Sequence, residues 1–175
     1  YPVVYFFRLH ESEWFNPSLN GRSGTMLKDV ADDLISSAQI GKMILVGPST
    51  TSSISFVEAL GVNMLKPMLT SATGIGTGKF EDYIVNDLIP HIDATFRTIA
   101  DRAHRGIDGF SYGGFTALML ALRHPTLFAS VGAYDGSFMW YDLDDPGIGG
   151  ASPDDIFWMG GRAQLDPTFD LPRNV

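Results

Sequence analysis

A single serine, Ser111, lies between glycines where a predicted strand gives way to a predicted helix. The segment Gly109-Phe110-Ser111-Tyr112-Gly113 fits the pattern G-x-S-x-G. Residues 105–110 are strand-like and residues 112–123 form an apolar, helix-like run, so Ser111 falls on the turn between them. Such a turn strains its central residue and exposes the hydroxyl beside a helix N-terminus. This spacing predicts nucleophilic attack by Ser111, although a serine between glycines is also a common turn residue.

Alternating strands and helices position this turn. Val3 to Phe7 is a continuous apolar run, typical of a strand covered on both faces, and Met43 to Val46 and Phe128 to Tyr134 have the same character. With the strand before Ser111, they predict an α/β fold with a mostly parallel sheet and helices on both faces.

Two further helices are predicted besides the one after Ser111. The first begins at a Thr25 cap and ends at Gly41. The second runs from Glu81 to Ala100, with a kink at Pro90. Each has an apolar face expected to be buried, comprising Met26, Leu27, Val30, Ala31, Leu34 and Ile35 in the first and Ile84, Leu88, Ile92 and Phe96 in the second.

Length and composition limit the classes of function that are open to the chain. The chain has 175 residues, 45% of them hydrophobic, which suits one domain over residues 1–175. Its net charge of −8 argues against nucleic acid and against an anionic membrane surface as partners. The absence of cysteine excludes disulfides, zinc–thiolate sites and a cysteine nucleophile, and it leaves the cellular compartment open.

Two segments carry weaker signals. The stretch from Gly74 to Lys79 is glycine-rich like a phosphate-binding loop, but Phe80 stands where that motif needs a hydroxyl residue. Residues 136–175 are expected to form a loop or cap-like region beyond a strand–helix core of residues 1–135. The acidic residues of this region lack the spacing of a calcium loop. We expect no metal and no cofactor. The acidic residues are Asp142, Asp144, Asp145, Asp154 and Asp155, and the aromatic residues that could roof a cleft are Trp140, Tyr141 and Trp158.

Three segments resemble one family: Phe80 to Ile92, Arg102 to Leu118 and Arg123 to Phe128. They resemble the putative-esterase group of the α/β-hydrolases, which includes esterase D, feruloyl and acetylxylan esterases and the antigen 85 mycolyltransferases. The resemblance implies a partial α/β-hydrolase fold, truncated at both ends, with four strands of an eight-stranded sheet. We expect an oligomeric partner or a swapped segment to cover the exposed sheet edges.

The resemblance also implies a serine esterase mechanism. Ser111 would attack an ester carbonyl, a histidine would take its proton, and water would release the acyl-enzyme. The backbone amide of Tyr112 would hold the oxyanion, together with an amide of Glu11 or Ser12 from the loop after the first strand. That loop departs from the family pattern, because His10-Glu11 stands where the family has His-Gly.

The acid and the base of the triad have few candidates. Asp135 follows the fourth strand, where some α/β-hydrolases carry their acid, although a turn-forming Asp-Gly would also explain it. Asp166 and Asp170 are further along the chain, with no strand leading into them. No histidine follows His124, so His10, after the first strand, is the remaining candidate for a base or a part of the oxyanion loop.

The leading hypothesis is therefore a serine carboxylic ester hydrolase that acts on a small acyl ester of an alcohol, thiol or sugar. One alternative is an acyltransferase, which uses the same acyl-enzyme. Another is a catalytically incomplete relative that binds a ligand or partner in the same cleft, and the missing histidine favours it.

Overall fold

A computed structural model describes residues 1–8, 10–18, 25–50, 61, 63 and 78–136. In chain order the elements are β1 (Val3–Phe7), α1 (Ser12–Phe15), α2 (Leu27–Ser36), β2 (Ile44–Val46), α3 (Phe80–Asp82), a π-helical segment (Tyr83–Leu88), α4 (Ile89–Thr95), a 3₁₀ helix (Arg102–His104), β3 (Arg105–Phe110), α5 (Tyr112–Arg123) and β4 (Ser130–Tyr134). The strand predicted before Ser111 and the helix predicted after it are confirmed residue for residue. Among these residues, no helix is long and apolar enough to cross a membrane.

The four strands form one parallel sheet in the order β2-β1-β3-β4. Phe7 of β1 lies opposite Gly109 of β3, and Phe110 of β3 lies opposite Tyr134 of β4. The predicted parallel α/β architecture is confirmed, with β2 one residue and β4 two residues shorter than predicted. Because parallel strands end at the same edge of a sheet, the segments that follow β1, β3 and β4 lie side by side.

The hydrophobic core lies between the sheet and two helical segments. Val3, Tyr5 and Phe7 point inward from β1 and are at most 1% exposed. The neighbouring side chain Phe6 points to the opposite face, where Trp14 of α1 packs against it with the ring centroids 5.6 Å apart. Helices therefore lie on both faces, as predicted. The core residues from the helices are Ile84, Ile89, Ile92, Ala117, Met119 and Leu120.

Helix α2 differs from its predicted bounds at both ends. It begins after Met26, whose backbone N–H donates to Asp29 Oδ2 at 3.2 Å, so the predicted Thr25 cap was wrong. It ends at Ser36, and Ala38 then adopts a φ of 59°, which turns the chain before Gly41 is reached.

The helix predicted from Glu81 to Ala100 spans residues 80–95 and changes geometry midway. The N–H of Ile89 bonds to Ile84 O, one residue farther back than in an α-helix. This π-helical turn lies just before Pro90, which has no N–H to donate. After the helix ends, Phe96 is extended and 51% exposed, so its predicted place on the buried stripe was wrong.

A buried ion pair lies near the amino end of β3. The Arg105 side chain is 6% exposed and donates from Nη2 to Asp93 Oδ2 at 2.6 Å. The other carboxylate oxygen of Asp93 accepts from Thr98 Oγ1 at 2.7 Å. Burial, reinforced by the nearby Asp93 carboxylate, raises the pKa of Tyr5 to about 12.

We predict that the stability of the fold falls between pH 10 and about pH 12 because of Tyr5. The unfolded phenol ionises near pH 10.0, whereas the folded phenol stays neutral until about pH 12. Rising pH in this window therefore removes a proton from the unfolded state first and favours unfolding. In urea titrations, the free energy of unfolding of Tyr5→Phe should fall less steeply with pH in this window than that of the wild type. Identical alkaline slopes for the two proteins would contradict this assignment.

Apart from Gly136, the loop or cap-like region of residues 136–175 lies outside the described residues. Its separation from a core of residues 1–135 stays a prediction, as does the single domain. The same holds for the acid candidates Asp166 and Asp170. Also outside the described residues are Trp140, Tyr141, Trp158, Asp142, Asp144, Asp145, Asp154 and Asp155.

Candidate active site

Ser111 alone forms the turn between β3 and α5. Its backbone has φ 58° and ψ −121°, the conformation of the first central residue of a type II′ turn, where glycine is usual. Its N–H donates to Tyr134 O at 2.9 Å, and its carbonyl accepts from the N–H of Phe115 at 3.2 Å. A conformation of this kind costs about 1–3 kcal/mol and persists only where the surrounding structure fixes it. The two hydrogen bonds hold Ser111 at the carboxyl edge of the sheet.

Two glycines let the start of α5 approach the strands closely. A Cβ atom on Gly109 would lie 2.1 Å from Gly113 O, and a Cβ atom on Gly113 would lie 1.9 Å from Phe7 O. Both neighbours are backbone atoms, so no side-chain rotation could relieve the contact. The glycines on either side of Ser111 are therefore required by packing, and the first turn of α5 lies against the end of β1.

The N-terminus of α5 lies directly beside Ser111. Tyr112 is the first helical residue, so its amide belongs to the turn whose N–H groups point out of the helix end. This end of a helix carries partial positive charge and favours an anion. This is the amide that the family resemblance implies as the first oxyanion donor, and that role stays a prediction.

The loop between β1 and α1 is bonded to the strand that precedes Ser111. Glu13 of α1 is buried, and its Oε1 accepts from the His10 N–H at 3.1 Å. Its Oε2 accepts from Arg8 Nε at 3.0 Å and also from Arg8 Nη2. Arg8 Nη1 in turn donates to Phe110 O at 3.4 Å. The sequence pattern did not single out Arg8 or Glu13. The one indication in the sequence was that Arg8, a charged residue, directly follows the apolar strand.

His10 is engaged within this loop. Its Nδ1 accepts the backbone N–H of Ser12 at 3.1 Å and lies 2.5 Å from Ser12 Oγ. An amide N–H donates only to an unprotonated ring nitrogen, so the proton of the neutral ring is on Nε2. A general base needs an unprotonated nitrogen directed at the nucleophile, and this tautomer directs that nitrogen at Ser12. The base role of His10 stays a prediction. Of the two loop amides predicted as oxyanion donors, that of Ser12 donates to His10, and the oxyanion role of Glu11 stays a prediction.

The other three histidines of the chain are also described. His104 precedes β3 at the opposite edge of the sheet, and its Nδ1 lies 2.8 Å from Asp101 Oδ1. His124 follows α5, and its Nε2 lies 2.7 Å from Glu81 Oε1. His91 is exposed on α4. Only His10 follows a strand at the edge that carries Ser111.

Asp135 directly follows β4 at that same edge. Its chain neighbour Tyr134 accepts the hydrogen bond from the Ser111 N–H. Asp135 is exposed, with φ 46°, a left-handed conformation that suits a turn-forming Asp-Gly. The structure therefore brings Asp135 to the edge of the site, and its role as the acid stays a prediction.

Asp108 is a further carboxylate near Ser111 in the chain. Its side chain covers the neighbouring strand, because a Cβ atom on Gly132 would lie 2.3 Å from Asp108 Oδ2. Burial raises the pKa of this carboxyl above its ordinary value. Asp108 lies within β3 rather than at its carboxyl end, so we assign it to the packing of β3 against β4.

A parallel sheet with a strained serine on a strand–helix turn defines an α/β-hydrolase-type fold. The model of the Putative esterase family matches residues 1–163, and the chain belongs to this family. The resemblance found in the sequence is confirmed.

The relatives of the chain include proteins described as feruloyl esterases. The chain is 27% identical over 151 residues to an endo-1,4-beta-xylanase/feruloyl esterase of Xylanibacter ruminicola, covering 83% of this chain and 18% of that protein. A solved ferulic acid esterase is 29% identical, with a TM-score of 0.61, over 89% of this chain and 50% of that one. A ferulic acid esterase of Anaeromyces mucronatus, solved with ferulic acid, is 20% identical, with a TM-score of 0.53, over 79% of this chain and 47% of that one. This likeness supports the fold alone. The chain thus spans about half the length of these solved structures.

Proposed function

We propose that this chain carries the nucleophile of a serine carboxylic ester hydrolase. The observation that carries the proposal is the strained backbone of Ser111, because such strain is kept where it serves a site. Membership of an esterase family supports ester cleavage as the reaction. Within the class of small acyl esters, the relatives named feruloyl or ferulic acid esterases favour esters of aromatic acids as substrates.

In the proposed reaction, Ser111 Oγ bonds to the ester carbonyl carbon while a base takes the hydroxyl proton. The amides of Tyr112 and Glu11 stabilise the resulting oxyanion. The carbonyl re-forms as the alcohol leaves with the proton from the base, and the acyl group stays on Ser111. Water then loses a proton to the base and attacks this acyl-enzyme, which releases the acid and restores the serine. The mechanism needs no cofactor or metal.

The proposed base is His10 and the proposed acid is Asp135, since both follow strands at the edge that carries Ser111. His10 can serve only if its ring leaves Ser12 and presents an unprotonated nitrogen to Ser111. A base from a further segment or from an associated chain is the alternative within the same mechanism.

A catalytically incomplete relative is the second candidate. The contacts between His10 and Ser12 favour it, because they engage the unprotonated nitrogen of the histidine at this edge. An acyltransferase remains a third candidate, since it differs from a hydrolase only in the acceptor of the acyl group.

Turnover of 4-nitrophenyl acetate and methyl ferulate tests the proposal. We expect a burst of 4-nitrophenol equivalent to the amount of chain, followed by slower turnover, because acylation precedes hydrolysis. Ser130→Ala, a matched serine variant at the start of β4, should retain the burst. Turnover that persists in Ser111→Ala would contradict the assignment.

The same assay separates the candidates. A burst without turnover identifies a chain that acylates but lacks the means to hydrolyse the acyl-enzyme. Neither a burst nor turnover on either ester identifies the incomplete relative. Preferential transfer of the acyl group to an added alcohol identifies an acyltransferase.

A further inference from the structure

A buried ion pair joins the loop after β1 to the strand that precedes Ser111. The Arg8 side chain is 10% exposed and that of Glu13 is 8% exposed. We propose that this pair is a positioning device, which fixes the Glu11 amide relative to Ser111 so that both face one reacting carbonyl. The inference rests on the proposed ester hydrolase function.

On the loop side, Glu13 makes two hydrogen bonds with His10. Its carboxylate accepts from the His10 N–H at 3.1 Å, and its own backbone N–H donates to His10 O at 3.0 Å. The His10 carbonyl shares a planar trans peptide with the Glu11 N–H, and the two groups point in opposite directions. With the carbonyl directed at Glu13, the Glu11 N–H must point away from α1. This backbone bond sets the direction of the proposed oxyanion donor, and the Glu13 carboxylate, which accepts from the His10 N–H, holds His10 in place beside it.

On the strand side, Arg8 reaches the residue before Ser111. Its Nη1 donates to Phe110 O at 3.4 Å, and its guanidinium carbon lies 4.5 Å from the centroid of the Phe110 ring. Ser111 is itself held by backbone hydrogen bonds. The contact of Arg8 with Phe110 therefore holds the loop in a defined position relative to Ser111. The chain of contacts from His10 through Glu13 and Arg8 to Phe110 thus connects the two proposed parts of the site.

A buried ion pair is a poor means of stabilisation alone, because desolvation offsets most of its attraction. Well-packed apolar side chains often stabilise a fold equally well. Contacts between apolar side chains are not directional, however, whereas hydrogen bonds orient a backbone amide. This distinction makes the positioning role testable against a merely structural one.

The first test compares Glu13→Gln with Asp93→Asn, because each disrupts a buried arginine–carboxylate pair. The Asp93 pair lies at the opposite end of the fold, on Arg105. The readout is the rate of covalent reaction of Ser111 with a fluorophosphonate, resolved into a maximal rate and a half-saturating concentration. We expect Glu13→Gln to lower the maximal rate about tenfold to a hundredfold, with the half-saturating concentration unchanged, since a displaced donor weakens transition-state stabilisation. Asp93→Asn should react at the wild-type rate, and an equal loss in both variants would overturn the inference.

The second test separates positioning from stability. The double variant Arg8→Met with Glu13→Leu replaces the ion pair by apolar side chains and should regain the stability lost in Glu13→Gln. We expect its reaction with the fluorophosphonate to stay slow, because the side-chain hydrogen bonds to the His10 N–H and to Phe110 O are gone. Recovery of the wild-type rate would reduce the pair to a structural role.

A third readout keeps the inference separate from the proposed function. If wild-type Ser111 does not react with the probe, the proposed function fails. Amide hydrogen exchange at residues 10–12 then decides the positioning role. Faster exchange there in Glu13→Gln, but not in Asp93→Asn, supports it, and unchanged exchange overturns it.

Discussion

The Ser111→Gly variant is expected to lose esterase activity while gaining stability. Removal of the nucleophile should lower turnover by at least about a thousandfold. Ser111 occupies a backbone conformation, φ 58° and ψ −121°, that glycine adopts without a steric penalty. Relief of strain, offset by the greater freedom of glycine in the unfolded chain, should raise the free energy of unfolding by about 1 kcal/mol. Urea denaturation and the burst assay measure the two effects on one preparation.

Ser111→Ala is the matched control for this variant. Alanine also lacks the nucleophile, so its activity should fall to the same level. Alanine keeps a Cβ atom at the same positive φ, so its stability should stay close to that of the wild type. A gain in stability for alanine equal to that for glycine would show that the serine backbone is not strained.

The Gly113→Ala variant should have the largest effect on the fold. The added Cβ atom would lie 1.9 Å from Phe7 O, 2.2 Å from Phe7 C and 2.7 Å from Arg8 N. Because these are backbone atoms of β1, either the helix or the strand must move. We expect a loss of about 3 kcal/mol or more, which is a large share of the stability of a typical domain. The midpoint of urea denaturation measures this loss.

Gly41→Ala is the control for Gly113→Ala. Among the residues that the structure describes, and apart from its two chain neighbours, no heavy atom lies within 4 Å of a Cβ atom built on Gly41, so that variant should keep wild-type stability. Gly113→Ala should also disturb Ser111, because the first turn of α5 follows the serine directly. Equal stability of the two alanine variants would contradict the close approach of α5 to β1.

The elements around Ser111 could be predicted from the sequence because local signals there agree. The apolar run of β1 predicts a buried strand, and the glycines around Ser111 predict a turn after β3. The segment of α5 has the length and continuous apolar character of a buried helix. The order of these elements also predicts the parallel sheet, since each strand returns through a crossover. The strain at Ser111 followed from the same pattern.

Other features depend on contacts that a local pattern does not encode. The start of α2 depends on an Asp29 side chain that reaches back to Met26, and its end depends on a left-handed Ala38, where glycine is the usual signal. The ion pair of Arg8 with Glu13 needs the turn between them to be closed first. The tautomer of His10 follows from its contacts with Ser12, and no residue pattern specifies such contacts.

The most direct test of the central claim is the site of covalent modification by a fluorophosphonate on the folded chain. Intact-mass measurement followed by peptide mapping should find one adduct, on the peptide that contains Ser111, and none in Ser111→Ala. This reagent marks an activated serine, whether the acyl group would later pass to water or to another acceptor. An adduct on a different residue, or a folded wild-type chain that stays unmodified, would contradict the assignment of Ser111 as the nucleophile.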